Sequence, residues 1–292
     1  MNCLDVSNLD SLCHCFYDCK TLKSLDVSTW NTSNVKTIEE CFLFCESLKT
    51  LDLSHWDTSN VENMRGCFYG CKNLESLDVS TWNTSNVKTM FDCFFDCKKL
   101  RSLDLSHWDT SNIESLNSCF YNCQLLKSLD LSSWNTSKVE DMEGCFNSCL
   151  SLKSLDLSNW DTSNVESLEV CFKDCNCLES LGLAQWNTSK VEDMCECFYG
   201  CRSLHTLDLS HWDVSNVNDM IKCFMGCESL AYLNIENWVI NDECDTTNLF
   251  KWCDNLSLIK CSKETYERIL GNEFETDAWV YENGFAIRDG KV

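Results

Sequence analysis

Apolar and polar positions alternate along this chain in a pattern that restarts every 26 residues. Trp30, Trp56, Trp82, Trp108, Trp134, Trp160, Trp186, Trp212 and Trp238 mark the restart without a slip. In the unit from Leu48 to Cys71, Leu48, Leu51 and Leu53 give the spacing LxxLxL. The alternation over Leu51, Asp52, Leu53 and Ser54 predicts a short strand with one face inward. His55 to Asn60 is polar and turn-like, and Thr58, Ser59 or Asn60 could cap the next segment. Val61, Met64, Cys67, Phe68, Cys71 and Leu74 then fall at intervals of 3, 3, 1, 3 and 3, the pattern of one buried face of a short helix. Each unit reads as strand, turn, short helix. A fixed period of this size predicts a solenoid in which each coil packs on its neighbours. The fold class is therefore α/β: a leucine-rich-repeat solenoid with a parallel β-sheet on one side, short helices on the other and a 26-residue period.

The repeat also sets the organisation. Residues 1–21 read as an N-terminal half-repeat or cap, 22–240 as the array, and 241–292 as a last degenerate repeat with a C-terminal cap. Leu4 stands where the Trp column would fall. Either the first half-repeat is a cap or residues precede Met1. In the final segment Asn248 to Leu256 reads as an imperfect helix. Ile259 to Leu270 reads as a strand followed by a helix, and Phe274 to Val292 alternates like a strand around Trp279, Val280 and Tyr281.

The segment CFYGCKNLESLDVS, Cys67 to Ser80, resembles the BspA-like (Treponema-type) leucine-rich repeat family, in its bacterial surface-protein variant. The resemblance runs from about Leu4 to Leu256 and rests on the co-occurrence of LDLS, DTSNV and FxxC at this period. Trp stands where that variant has Phe, and Cys41 and its equivalents where it has Met or Ala; both swaps keep the positions apolar. The resemblance implies a curved solenoid on a cell surface or secreted, linked to adhesion or host-protein binding, and implies no enzyme.

Charge narrows the partners. With 23 basic and 46 acidic residues the net charge is −23. Such a surface repels nucleic acid and anionic lipid and suits cations, basic partners or simple solubility. No basic stretch followed by an apolar run forms a signal peptide, which keeps a cytoplasmic location open. No apolar run approaches the roughly 18 residues that span a bilayer, so no membrane insertion is expected.

Chemistry-bearing residues fall in columns. Asp26, Asp52, Asp78, Asp104, Asp130, Asp156 and Asp208 form one, broken by Gly182 and Asn234. Alternating with inward Leu or Val, they face outward. Carboxylates about 5 Å apart repel by roughly 1 kcal/mol per pair in water, so each is expected to accept hydrogen bonds from backbone N–H groups of the next turn. The functional alternative is an acidic stripe for Ca²⁺, a basic partner or a mineral surface. After each Trp, Asn31, Asp57, Asn83, Asp109, Asn135, Asp161, Asn187 and Asp213 alternate, and Lys36, Glu62, Lys88 and Glu114 follow suit, which reads as attraction between neighbouring coils. The WNTS segments at Asn31, Asn83, Asn135 and Asn187, with Asn255, are glycosylation sequons in a eukaryotic secretory host.

Nine CFxxC pairs run from Cys15/Cys19 to Cys223/Cys227. Buried free thiols, disulfides and Cys₄ metal sites are all compatible with that spacing, and buried thiols fit best because both columns share the apolar face. The position after the buried Phe reads Tyr17, Leu43, Tyr69, Phe95, Tyr121, Asn147, Lys173, Tyr199 and Met225. Its aromatic members, Tyr17, Tyr69, Phe95, Tyr121 and Tyr199, form a candidate binding stripe for protein or glycan. No catalytic set stands apart from the repeat, no metal site is assigned and no cofactor is called for. The expected function is a non-enzymatic scaffold binding a protein or glycan ligand, with nucleic acid excluded. An intracellular structural or protein-interaction scaffold and a cation- or metal-binding array are the alternatives. The oligomeric state is not legible.

Overall fold

The computed structural model describes residues 5–183, 185–270 and 279–288. The expectations for Leu4, for the rest of 1–4, and for 274–278 and 289–292 within the C-terminal segment fall outside them. The chain winds into a solenoid of period 26 whose coils are joined by three parallel ladders.

The first ladder is the expected sheet. Three-residue strands β1 (Thr50–Asp52) and β2 (Ser76–Asp78) pair in parallel with Leu51 opposite Leu77. β3 (Ser154–Asp156) and β4 (Ser180–Gly182) do the same, with Leu155 opposite Leu181. β5 (Thr206–Asp208), β6 (Tyr232–Asn234) and β7 (Leu258–Lys260) continue it. The central Leu or Ile points inward, and in β1, β2, β3 and β5 the flanking hydroxyl and Asp point out, as the period of two requires. The second ladder is a row of single bridges after the Thr-Ser-Asn turn, from Ser11–Thr37 through Asn63–Thr89 to Asp219–Asp245.

The third ladder corrects the expected short helices. Among the described residues of the repeats, no helix forms between Val61 and Leu74 or at the equivalent positions, including 248–256. Instead, tight turns follow one another: Cys67 N–H donates to Met64 O (3.2 Å), Tyr69 N–H to Gly66 O (3.0 Å) and Cys71 N–H to Phe68 O (3.1 Å). The intervening N–H groups leave the coil altogether. Gly66, Phe68 and Gly70 donate to Phe91 O (2.8 Å), Cys93 O (2.9 Å) and Phe95 O (2.7 Å) of the next coil. Two left-handed residues per coil, four apart, make this possible: Gly66 and Gly70, Asp92 and Asp96, Ser118 and Asn122 all have positive φ. A left-handed residue every four positions cannot continue a right-handed helix. Gly70 shows the steric side, because a Cβ there would sit 2.5 Å from the Phe44 ring of the preceding coil. Three-residue turns bring Met64, Cys67, Phe68, Cys71 and Leu74 to one side just as a helix would, so the apolar spacing alone cannot tell the two apart.

The core is a stack of near-identical layers. Leu51, Leu53, Trp56, Val61, Met64, Cys67, Phe68, Cys71 and Leu74 are buried in one coil, and their equivalents are buried in the next. Phe42, Phe68, Phe94 and Phe120 stack at 5.5–5.6 Å, and Trp56, Trp82 and Trp108 at 6.0–6.2 Å. A stacked aromatic pair contributes about 0.5–1.5 kcal/mol beyond the area it buries. At Trp82, Trp108, Trp134, Trp160, Trp186 and Trp238 the indole N–H is satisfied across the coils, as where Trp82 Nε1 donates to Leu53 O at 3.1 Å, whereas the buried Trp56 and Trp212 indoles make no such bond. At the C-terminal end the ladder changes sense. β9 (Phe285–Arg288) pairs antiparallel with β7 and with β8 (Trp279–Glu282). α1 (Lys263–Ile269) is capped by Ser262 and tied back to the last full coil by Thr265 Oγ1 donating to Trp238 O (2.7 Å).

Candidate functional site

Two outward surfaces carry the candidate residues. The first is the sheet face. Asp26, Asp52, Asp78, Asp104, Asp130, Asp156 and Asp208 are all exposed, and Asp52 lies directly opposite Asp78 in the parallel register. Each carboxylate is held by the serine two residues on. Asp52 Oδ1 accepts from Ser54 N–H (3.0 Å) and Ser54 Oγ–H (2.6 Å). Asp26 with Ser28, Asp78 with Ser80, Asp104 with Ser106, Asp130 with Ser132 and Asp208 with Ser210 repeat both bonds, and Asp156 accepts from the Ser158 N–H at 3.0 Å. The donors sit in the turn that follows each strand of the same coil. The serine hydrogen bonds hold the Asp26, Asp52, Asp104, Asp130 and Asp156 carboxyls below the usual carboxylate range. At Asp208 partial burial works the other way, but Ser210 and Asn234 prevail and the carboxyl is again held low. The face is thus a row of fixed negative charges at neutral pH, spaced by about one strand separation of 4.8 Å. The column breaks where β3 meets β4, with Asp156 opposite Gly182.

The second surface is the outer edge of the turn ladder. The residue after each Phe of the ladder lies along it, buried at Leu43, Asn147 and Met225 and half-buried at Tyr69, Phe95, Tyr121, Lys173 and Tyr199, and the structure brings together only three of the five aromatic candidates. Tyr69, Phe95 and Tyr121 stack with centroids 4.4 Å apart and planes within 6°. Phe44 closes one end, edge-on to Tyr69 at 5.4 Å. Both faces of Phe95 are therefore covered by its neighbours. Tyr17 lies apart, 48% exposed, with buried Leu43 in the intervening coil and its ring packed against His14 (5.5 Å). Tyr199 is separated from Tyr121 by buried Asn147 and by Lys173, whose ammonium sits 5.1 Å from the Tyr199 ring centre. There the column is ionic: Glu196 pairs with Lys173 and, at 3.0 Å, with Lys222.

A residue that pattern reading missed, Asp92, lies beside the stack. Burial pushes its carboxyl up to about 6, against the pull of Arg65. The Arg65 guanidinium is 4.9 Å from the Phe91 ring. Burial, with Asp92 and Asp96 close by, also pushes the Tyr69 phenol up. Asp92 occupies a left-handed position that is Gly66 one coil before and Gly144 two coils after. Nothing in the column marked it out, because Glu40, Glu196 and Lys222 stand at the equivalent positions.

From Cys41 on, the cysteine columns lie inside, while Cys15 is exposed and Cys19 half-buried. From Cys45 on, each second-column thiol donates to the carbonyl of the Phe in the preceding coil: Cys71 to Phe42 O (3.2 Å), Cys97 to Phe68 O (3.2 Å) and Cys253 to Phe224 O (3.0 Å). Burial pushes the Cys149 and Cys201 thiols up to about 12, so they stay protonated donors. Among the described residues, no three His, Cys, Asp or Glu side chains are grouped to hold a metal ion. Across the coils Lys88 meets Glu62 at 2.7 Å, the attraction that the alternating charges suggested.

Fold and surfaces together define a leucine-rich-type repeat solenoid, a scaffold whose variable residues lie on outward columns. The family model described as "Mycoplasma protein of unknown function, DUF285" matches residues 1–103, 41–154, 89–181 and 167–262, and the chain belongs to that family. A solved leucine rich cell surface protein from Faecalibacterium prausnitzii A2-165 is similar at 17% identity. The match covers 88% of this chain and 78% of that one, with a TM-score of 0.35. A search of the curated proteins finds no match. Among the described residues no helix is long and apolar enough to cross a membrane.

Proposed function

We propose that this protein is a non-enzymatic repeat scaffold that binds a protein ligand through its sheet face, and that it acts as a surface or adhesion-type protein of the BspA-like kind. The observation that carries the reading is the row of exposed, ionised carboxylates held in register by the serine turns. A rigid line of like charge favours a partner with basic side chains, and charge complementarity of this sort acts mainly on encounter rate and register. The stacking of Phe95 between Tyr69 and Tyr121, which covers both of its ring faces, weighs against a glycan partner at the stripe, since a sugar stacks on a ring face. The test is a binding titration with a synthetic lysine-rich peptide at low and physiological salt. The reading expects saturable binding that weakens with salt and survives the combined change Tyr69→Ala, Phe95→Ala, Tyr121→Ala. Loss of binding in that triple variant would move recognition to the turn edge. A second reading, an intracellular interaction scaffold, is favoured by the thiol-to-carbonyl bonds, which need protonated cysteines. Alkylation of protein purified without reductant separates the two: a full complement of free thiols supports the intracellular reading, and missing thiols the extracellular one.

A further inference from the structure

The first described coil holds a linked set of side chains that recurs in no other described coil. Cys13 Sγ lies 3.2 Å from His14 Nδ1, and His14 Nε2 lies 2.9 Å from Glu40 Oε2 in the next coil. Cys13 belongs to neither cysteine column; it is partly exposed, whereas Cys41 and Cys67 are fully buried. The His14 backbone is left-handed (φ 55°) and its main-chain N–H donates to Glu39 O at 3.1 Å, while the Tyr17 ring packs edge-on against the imidazole at 5.5 Å. The Cys13 N–H donates to Ser11 Oγ at 3.1 Å, which holds the thiol side. One tautomer satisfies every partner: Sγ–H donates to Nδ1 while Nε2–H donates to Glu40. A nucleophile, a base within hydrogen-bond reach and a third group that orients the base are the parts of an activated thiol.

We propose that Cys13 is a reactive thiol that undergoes exchange with small disulfides, with His14 as its base and Glu40 orienting His14. As Sγ attacks one sulfur of a disulfide RS–SR, its proton passes to Nδ1. A Cys13–S–S–R bond forms, the S–S bond of the reagent breaks, and the departing thiolate takes the proton from the imidazolium to leave as RSH. Cys13 is oxidised to the mixed disulfide and half of the reagent is reduced. The step is stoichiometric modification of the protein and needs no turnover. Burial, with Glu39 and Glu40 close by, pushes the Cys13 thiol up, so the thiolate is generated during attack instead of standing preformed. A thiolate of higher pKa is also the stronger nucleophile once formed. Cys41 in the next coil is also near this thiol.

The test uses the whole reduced chain, glutathione disulfide as the probe, and peptide mapping of the mixed disulfides over time. Cys177, which is exposed and has no histidine bonded to it, is the internal reference. Cys13 is expected to react at least about tenfold faster than Cys177 at neutral pH, a modest share of what a positioned base supplies. His14→Asn, which suits the left-handed position, is expected to bring Cys13 down to the Cys177 rate without altering the Cys177 rate itself. Glu40→Gln is expected to slow Cys13 several-fold. Equal rates at Cys13 and Cys177 in the unaltered chain, or a Cys13 rate indifferent to His14→Asn, would overturn the proposal. Continued protection of the buried Cys67 and Cys93 thiols from the same reagent reports that the variants are folded.

Discussion

Coils carrying Tyr69, Phe95 and Tyr121 and coils carrying Asn147, Lys173 and Tyr199 follow the same backbone path yet fill the same outer column by opposite means. In the first set, flat rings stack at 4.4 Å. In the second, Glu196 bridges Lys173 and Lys222, with Lys173 lying over Tyr199. Beneath both, the Phe ladder runs on at 5.4–5.6 Å without change. The inward residues fix the coil, and the outward column is left to vary. Variation of that kind on a constant scaffold is what lets a solenoid present different surfaces along its length.

The sharpest way to separate the two layers is to remove one ring from each. Phe94→Ala empties a site that both Phe68 and Phe120 contact and is expected to cost about 3–5 kcal/mol in urea denaturation. Phe95→Ala, one residue on, breaks both outer stacks and is expected to cost about 1–2 kcal/mol. An outer cost equal to the inner one would mean that the stripe is core and not surface. In the ionic half, Glu196→Gln is expected to cost only about 1 kcal/mol, because Lys173 and Lys222 are partly in water. That cost should shrink at high salt, whereas the Phe95→Ala cost should not.

The acid dependence of the two halves has opposite sign. The Lys173 and Lys222 hydrogen bonds outweigh burial and hold the Glu196 carboxyl low. Its contribution is therefore present above the unfolded carboxylate range and is lost as pH falls through the folded value. Asp92, pushed up to about 6, binds its proton more readily in the folded state, so it lowers stability as pH rises from about 4 to 6. Asp92→Asn is expected to stabilise the protein at neutral pH by about 1 kcal/mol, reduced from the full shift because the carboxyl is partly solvated. The gain should vanish below about pH 4; a gain that persisted there would show that its origin is not the charge.

These surfaces were unequally legible. The period, the strand around Leu51 and Leu53, and the inward Trp56, Phe68, Cys67 and Cys71 follow from apolar spacing. The helices did not survive, because spacing of three describes stacked turns as well as a helical face. The distinguishing mark was there in Gly66, Gly70, Asp92, Asp96, Ser118 and Asn122, residues that tolerate positive φ, but Glu40, Val170 and Lys222 occupy the same column and blur it. The outward Asp column was readable from alternation, and its serine partners two residues on could have been read as well. The stripe of five aromatics was overextended, since only rings in consecutive coils can stack. The contact of Cys13 with Glu40 through His14 joins residues 27 apart by side-chain rotamers, which no periodicity encodes.

Recognition by the sheet face can be isolated by titrating the lysine-rich peptide into two variants that remove equal charge. One carries Asp52→Asn, Asp78→Asn, Asp104→Asn and Asp130→Asn; the other carries Glu114→Gln, Glu140→Gln, Glu166→Gln and Glu192→Gln, from an exposed column elsewhere on the coil. If the carboxylate row is the binding surface, the Asp variant loses at least about tenfold in affinity, roughly 1.4 kcal/mol, and the Glu variant stays within about twofold of the unaltered protein. Equal losses in the two variants would contradict that role, because binding would then follow net charge and not the carboxylate row.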